Sequence, residues 1–215
     1  VLHVTFLIIL LPLVGFAVQV VAGRRLGDPA AGGVATAFIG ASFLVSIGVY
    51  LDLLTVHAPV RSFTQNLWTW IPVDSLQVHA RLLVDPLSMT MVLFVTGIST
   101  LIHLYSIGYM KGDKDYSKFF LYMNLFVASM LILVLGSNLL VTFVGWEGVG
   151  TCSYWLVSFW FTKESAASAG KKAFVYNRIG DVGFLLAIFL VFERIHSLEY
   201  ATIFSHLHQI GSGYI

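Results

Sequence analysis

Apolar residues run through this chain in long blocks bounded by charge. Asp, Glu, Lys and Arg are absent from residues 2–22, 33–51, 86–110 and 119–136. Glu147 alone interrupts 139–161, and Arg178 and Asp181 interrupt 173–192. At a rise of about 1.5 Å per residue, ~20 residues cross a hydrocarbon layer of ~30 Å. The blocks therefore predict an all-α, polytopic transmembrane bundle of about six helices, forming a single membrane domain over 1–215. The first block reads as a retained helix and not a cleaved leader. It outruns the ~7–15 apolar residues of a signal peptide, no basic segment precedes it, and Arg24-Arg25 follow it.

The punctuation between blocks has its own chemistry. Asp85-Pro86 puts a capping carboxylate before a proline that needs no N–H partner, which starts a helix. Gly27-Asp28-Pro29 and Gly136-Ser137-Asn138 read as turns. The 56–83 segment is too long and too polar for a turn. Two partly alternating runs, Asn66 to Ile71 and Leu76 to Leu82, flank Pro72-Val73-Asp74-Ser75, which predicts an extracytoplasmic β-hairpin between helices two and three. After the last block, Ile195, Leu198, Ala201, Phe204 and Leu207 form a weak amphipathic pattern, expected to lie at the outer interface.

Composition narrows the class. Of 215 residues, 58% are hydrophobic and 11% charged, with a mean hydropathy of +0.86. A soluble domain carries about 25% charged residues. The net charge of +1 supplies no field for phosphate backbones, so nucleic acid is excluded as a partner. One cysteine, Cys152, excludes a disulfide framework and reads as a packing residue. Basic residues set the orientation. Arg24, Arg25, Lys111, Lys114, Lys118, Lys163, Lys171 and Lys172 follow the odd-numbered spans, against Arg61, Arg81 and Arg194 after the even ones. That bias places the first set in the cytoplasm and the N-terminus outside.

Three ionisable groups then stand inside the apolar blocks. Each costs roughly 2.5–3.5 kcal/mol at a helix centre, and such residues mark ion pathways by default. Glu147 sits near the midplane, with Thr151, Tyr154 and Ser158 in a stripe on its cytoplasmic side and Gly145, Gly148 and Gly150 around it. Those glycines admit another backbone or a column of water. No lysine in this chain reaches its depth, so Glu147 is expected to lack a cationic partner here. Arg178 and Asp181, three apart, share a helix face and can pair. Asp181 is expected to lie nearer water than Glu147. A further stripe, Thr96, Ser99, His103 and Ser106, runs along the third span. Read as transport chemistry, hydroxyls, His103, Thr151, Tyr154, Lys171 and Lys172 relay protons to a buried carboxylate. The alternative makes the hydroxyls bonds back to their own helices, His103 an ordinary hydrogen-bonded histidine and Arg178–Asp181 glue between helices. His206-Leu207-His208 offers two metal ligands without a third. The run Tyr154-Trp155 to Phe159-Trp160-Phe161 fits an interfacial aromatic belt. No haem ligand pair, phosphate loop or nucleophile–base arrangement stands out, so no redox cofactor or metal is expected in this chain.

The motifs carry a family resemblance. Phe143-Val144-Gly145-Trp146-Glu147-Gly148-Val149-Gly150-Thr151-Cys152-Ser153-Tyr154-Trp155-Leu156 resembles the fifth-helix signature of the largest antiporter-like subunit of proton-pumping NADH:quinone oxidoreductase, respiratory complex I, called subunit L in bacteria. Lys172-Ala173-Phe174-Val175-Tyr176-Asn177-Arg178-Ile179-Gly180-Asp181-Val182-Gly183 is similar to a second block. Asp85-Pro86-Leu87-Ser88-Met89, followed by Ile107-Gly108-Tyr109-Met110, is similar to a third. Mrp-type cation/proton antiporters and membrane-bound hydrogenases share the helix plan and parts of these motifs. The resemblance implies a proton-translocating subunit coupled to quinone reduction elsewhere, with FMN, iron–sulfur clusters and quinone held by other subunits. It implies that Glu147 pairs with a lysine on a later broken helix, and that Arg178 and Asp181 belong to the polar network beside the same half-channel. It also implies a chain roughly three times longer. Expected partners are the bilayer and other membrane subunits, including a neighbouring antiporter-like one. The Ala, Gly and Val richness points to a bacterial inner membrane.

Overall fold

A computed structural model describes residues 2–56, 61–73 and 76–206. Among the described residues, seven α-helices and one hairpin follow in the order α1 (Phe6–Leu26), α2 (Ala30–Thr55), β1 (Phe63–Val73), β2 (Leu76–Val84), α3 (Pro86–Tyr109), α4 (Tyr116–Leu135), α5 (Leu139–Val157), α6 (Glu164–Ile195) and α7 (Tyr200–Ser205). Five of them, α1–α4 and α6, are long and apolar enough to cross a membrane. Helix α5 falls short on composition. Its 19 residues include four polar or charged ones besides three glycines and two tryptophans, which dilute its apolar character. Helix α6 begins at Glu164, well before the 173 start that the charge pattern indicated. Lys171 and Lys172 are therefore helical residues, and their long stems can lie along the bundle while the ammonium groups stay in water.

Helix ends follow local chemistry. The Asp85 carboxylate accepts from Ser88 N at 2.7 Å and the Ser88 hydroxyl accepts from Asp85 N at 2.9 Å, with Pro86 at the first helical position. Asn138 caps α5 by accepting from Val141 N at 2.9 Å. Gly27, at φ 64°, ends α1 in a conformation that favours glycine.

Helix α4 is the hub, packed against α1, α2, α3 and α5, while α6 leans chiefly on α5. Ile8, Ile39, Val49, Met89, Val92 and Leu131, all fully buried, interleave to form the main core. The predicted hairpin is present and antiparallel, pairing Phe63 with Val84 at its base and Val73 with Leu76 at its tip. Asp74 and Ser75, part of the turn read from the sequence, lie outside the described residues. Register shifts at Asn66/Trp68 and Thr69/Ile71 break the alternation of β1. Strand β2 keeps a period of two and buries Val78, Ala80, Leu82 and Val84. That face clamps the α4–α5 turn. Ser137 N donates to Arg81 O at 3.2 Å and Asn138 Nδ2 donates to His79 O at 2.8 Å. On the turn's other side, Leu139 N donates to Leu198 O and Tyr200 N to Ser137 O.

This clamp interrupts the continuous helical spacing expected of the tail. Ile203 is buried, whereas Phe204, assigned to the apolar face, is 65% exposed. His196 at φ 56° ends α6 and reverses the chain, so α7 starts a new helix with its own phase. Leu207 lies outside the described residues.

Candidate functional site

Helices α5 and α6 run antiparallel and bring the three intramembrane charges into one cluster. Glu147 stands ~12 Å from the start of α5, and Arg178 ~21 Å along α6. Arg178 Nη2 lies 2.5 Å from Glu147 Oε2, and Arg178 Nε lies 3.2 Å from Asp181 Oδ2. The second contact is an ion contact without hydrogen-bond alignment. Asp181 gains a true hydrogen bond elsewhere, from Trp146 Nε1 to its Oδ1 at 2.8 Å. The guanidinium also rests on the Phe174 ring, 4.8 Å from its centroid. Phe174 in turn touches Tyr154 at 5.4 Å, which ties the hydroxyl stripe of α5 to the cluster.

Two expectations are corrected here. Glu147 has a cationic partner within this chain, Arg178, where reasoning from lysines alone left it unpaired. Asp181 is also the more buried carboxylate, its side chain 6% exposed against 26% for Glu147. Position along α6 suggested otherwise, but the Trp146 indole covers it.

The glycines of the motif serve helix packing and not a water column. Gly145 meets the backbone of Leu133, and a Cβ on Gly148 would stand 2.5 Å from Ser129 Oγ, so α4 fills both positions. Gly150 faces the Asn177 amide of α6. Cys152 is buried beside α4 and unpaired.

The remaining candidates divide. Tyr154 joins the cluster through Phe174. Thr151 is half-buried on the same helix. Lys171 and Lys172 are exposed, with Lys172 Nζ 6.0 Å from the Tyr176 ring, and neither is brought to the carboxylates. His103 lies apart, fully buried on α3 with its ring 6.0 Å from that of Phe120 on α4. Trp146 and Phe174 were missed as site residues. A signal for Trp146 existed: an indole N–H inside an apolar span needs an acceptor, and Asp181 is the acidic group in the next span. Among the described residues, no three His, Cys, Asp or Glu side chains gather to hold a metal. Leu207 and His208 of the histidine pair lie outside the described residues.

At the end of the bundle that carries Arg24 and Lys114, the loops interlock. Gly112 N donates to Asp28 Oδ2 at 3.0 Å, Trp160 Nε1 donates to Asp113 Oδ2 at 2.9 Å, and Lys163 Nζ lies 4.8 Å from the Trp160 ring. Gly23, Arg24, Asp28, Asp113, Lys114 and Ser117 help line a polar cavity of about 230 Å³ there. The Trp160 indole, then the Asp115 N–H, hold the Asp113 carboxyl below the usual carboxylate range. A lowered folded pKa stabilises the loop contact above the unfolded value of about 3.9, and that stabilisation disappears as pH falls through the folded value. Trp160→Phe should therefore raise the Asp113 pKa toward the ordinary value, read by carboxyl NMR titration. An unmoved titration would show that Trp160 does not set it.

The comparisons follow this geometry. Residues 70–120 match the family described as NADH-Ubiquinone oxidoreductase (complex I), chain 5 N-terminus, and residues 136–214 match NADH:quinone oxidoreductase/Mrp antiporter, TM. The chain belongs to the antiporter-like family of complex I chain 5 and subunit L. It is 45% identical over 94% of its length to NADH-quinone oxidoreductase subunit L of Mycobacterium tuberculosis, covering 32% of that protein. With the Escherichia coli subunit L it shares 39% identity over 90% of its length, covering 31%. The chain thus spans about a third of the curated relatives it matches. In fold it resembles a chain of the Mrp complex from Dietzia sp. DQ12-45-1b, with a TM-score of 0.76 at 23% identity over 93% of this chain and 20% of that one. It also resembles a chain of the archaeal membrane-bound sulfane sulfur reductase, with a TM-score of 0.77 at 17% identity over 94% of this chain and 39% of that one. Both support the multi-pass, antiporter-like helical fold.

Proposed function

We propose that this chain is part of the proton-translocating, antiporter-like membrane subunit of a bacterial NADH:quinone oxidoreductase, and that Glu147, Arg178 and Asp181 form its proton-handling cluster. The observation that carries the reading is the shared guanidinium. Two carboxylates and one permanently charged arginine sum to a net charge of −1. In a low-dielectric interior a cluster of that charge reaches neutrality by taking up one proton. Glu147, the more open carboxylate, is the exchange point. Asp181, held by Trp146 and Arg178, anchors the guanidinium. Quinone reduction, FMN and iron–sulfur chemistry belong to other subunits in this reading, and this chain supplies no redox centre.

An Mrp-type antiporter is the second reading, favoured by the 0.76 fold match and by carboxylates that serve H⁺ and Na⁺ alike. Purification of the full-length protein in its native assembly separates them. Particles containing flavin and iron, with NADH-driven proton uptake in vesicles, support the first. Particles without flavin or iron that exchange Na⁺ for H⁺ overturn it.

In the bacterial inner membrane the N-terminus is extracytoplasmic by the basic-residue bias. Lys114→Cys and Ser165→Cys, at exposed positions, should be labelled from the cytoplasmic side, and Val73→Cys, 60% exposed in the native residue, from outside. Labelling of Val73→Cys from the cytoplasm would reverse the topology.

A further inference from the structure

A groove of about 590 Å³ runs between α2 and α3 on the outside of the bundle. Helix α4 stands between this pair and α5–α6, so the groove lies away from the charged cluster. Phe43, Ile47 and Tyr50 of α2 and Leu93, Gly97 and Leu101 of α3 line it. On each helix these positions recur at helical spacing and share one face. Phe94 and Ile98, both exposed, stand along the α3 wall. At the deep end the two helices touch. A Cβ on Gly97 would stand 3.1 Å from Phe43 Cε2, and one on Gly40 3.7 Å from Thr100 Cγ2. The Phe43 ring therefore rests on bare backbone of α3 and forms the floor.

The wall carries no charge, and its two threonines ask for no partner. Thr90 Oγ1 donates to Pro86 O at 2.6 Å and Thr100 Oγ1 to Thr96 O at 2.7 Å, each bonding back to its own helix. The groove is also one leaflet deep. From Thr90 to Leu101 it follows α3 for ~16 Å. Helix α3 is ~36 Å long, so ~3 Å of it stands outside a ~30 Å hydrocarbon core at each end. Thr90 thus opens the groove just inside the core on the hairpin side, and Leu101 ends it just past the midplane.

Size and surroundings choose the occupant. A helix ~10 Å across would fill ~1,300 Å³ over that length, more than twice what the groove holds. A thin, flexible hydrocarbon chain fits, and a neutral wall without a charged group complements it. The face around the groove also bears the marks of lipid contact. Trp68 and Trp70 are exposed on the hairpin at one end of α3. Tyr105 and Tyr109, exposed and stacked at 5.8 Å, stand at the other end. Tryptophan and tyrosine gather at the two membrane–water interfaces, and the exposed Phe94, Ile98 and Leu101 present hydrocarbon between them.

We propose that the α2–α3 groove is a lipid site, holding one acyl chain of a phospholipid from the leaflet on the hairpin side, with Phe43 as its floor. The full-length protein in its native assembly is reconstituted in vesicles of phosphatidylcholine that carries a diazirine midway along one acyl chain. It is then washed in lipid-free detergent, irradiated, and its adducts are mapped by mass spectrometry. We expect adducts on Phe43, Ile47 or Leu93 that survive the wash. Adducts on Leu44, 69% exposed on α2 and outside the groove, should form in the vesicle and disappear with the wash. Leu93→Trp, which fills the groove, should lose the retained adducts and keep those on Leu44 before the wash. If Leu93→Trp does not assemble, Ile47→Trp should give the same loss. Groove and Leu44 adducts that vanish together on washing overturn the proposal, as does a groove that is never labelled. Retained groove adducts unchanged in an assembled tryptophan variant overturn it too. None of these readouts depends on whether the assembly pumps, which Glu147→Gln tests separately.

Discussion

Glu147→Gln in the full-length protein should leave the assembly intact and take proton pumping to background. Glutamine keeps the volume and an oxygen that can still accept from Arg178. It cannot take up or release a proton. Charge counting shows why the effect is large. The native cluster carries −1 and becomes neutral on binding a proton, whereas the glutamine cluster is already neutral with Asp181 ionised. Its remaining proton site is Asp181, covered by Trp146 and 6% exposed. Loss of a positioned proton-transfer group typically costs roughly 10²–10⁴-fold at the step it serves. If proton transfer is tightly coupled to electron flow, NADH:quinone turnover should fall with pumping. Glu147→Asp, with its carboxylate drawn back by one methylene, should keep part of both. Proton uptake and NADH oxidation in vesicles containing equal amounts of assembled variant measure this. Near wild-type pumping by Glu147→Gln would leave Glu147 as a partner for Arg178 and nothing more.

Much of this architecture was legible because the membrane imposes a crude code. Long charge-free blocks had to be helices, since a bilayer satisfies no backbone polar group from outside. Asp85-Pro86 and Asn138 marked helix starts by chemistry that needs no tertiary context. The α6 start was hidden because residues 164–172 mix charge with alanine. Such a segment is helical by propensity, but a search for charge-free stretches passes over it. The cluster was half legible. The i, i+3 spacing announced Arg178–Asp181 within one helix. The Glu147–Arg178 contact depends on how α5 and α6 are rotated against each other, and one helix's spacing carries no such information. Comparing depths only with lysines hid the arginine that was already there. The glycines left two occupants open, another backbone or water. A small residue says that something comes close, and the structure identifies it as α4 rather than water.

Arg178→Leu should destabilise the folded protein more than Glu147→Gln or Asp181→Asn does. Removing the arginine leaves two carboxylates without their shared cation. Asp181 suffers most, because it is 6% exposed and keeps only the Trp146 donor. Breaking a fully buried ion pair from one side costs ~3–5 kcal/mol. Arg178 is 39% exposed in this chain and so not fully enclosed, and roughly 2 kcal/mol is the expected cost. Either carboxylate substitution is milder, because the guanidinium retains one anion and its place on the Phe174 ring. The pair Arg178→Leu and Asp181→Asn makes the argument specific. If the cost comes from an uncompensated Asp181 charge, the double variant should recover much of the stability lost by Arg178→Leu alone. If it comes from lost packing on Phe174, the second substitution should add to the damage. Thermal unfolding of the four proteins in the same detergent decides between them, and a double variant no more stable than Arg178→Leu would refute the electrostatic account. Arg178→Lys restores the charge but not the planar fork that reaches two carboxylates at once. It should recover part of the stability, with Glu147 and Asp181 competing for one ammonium.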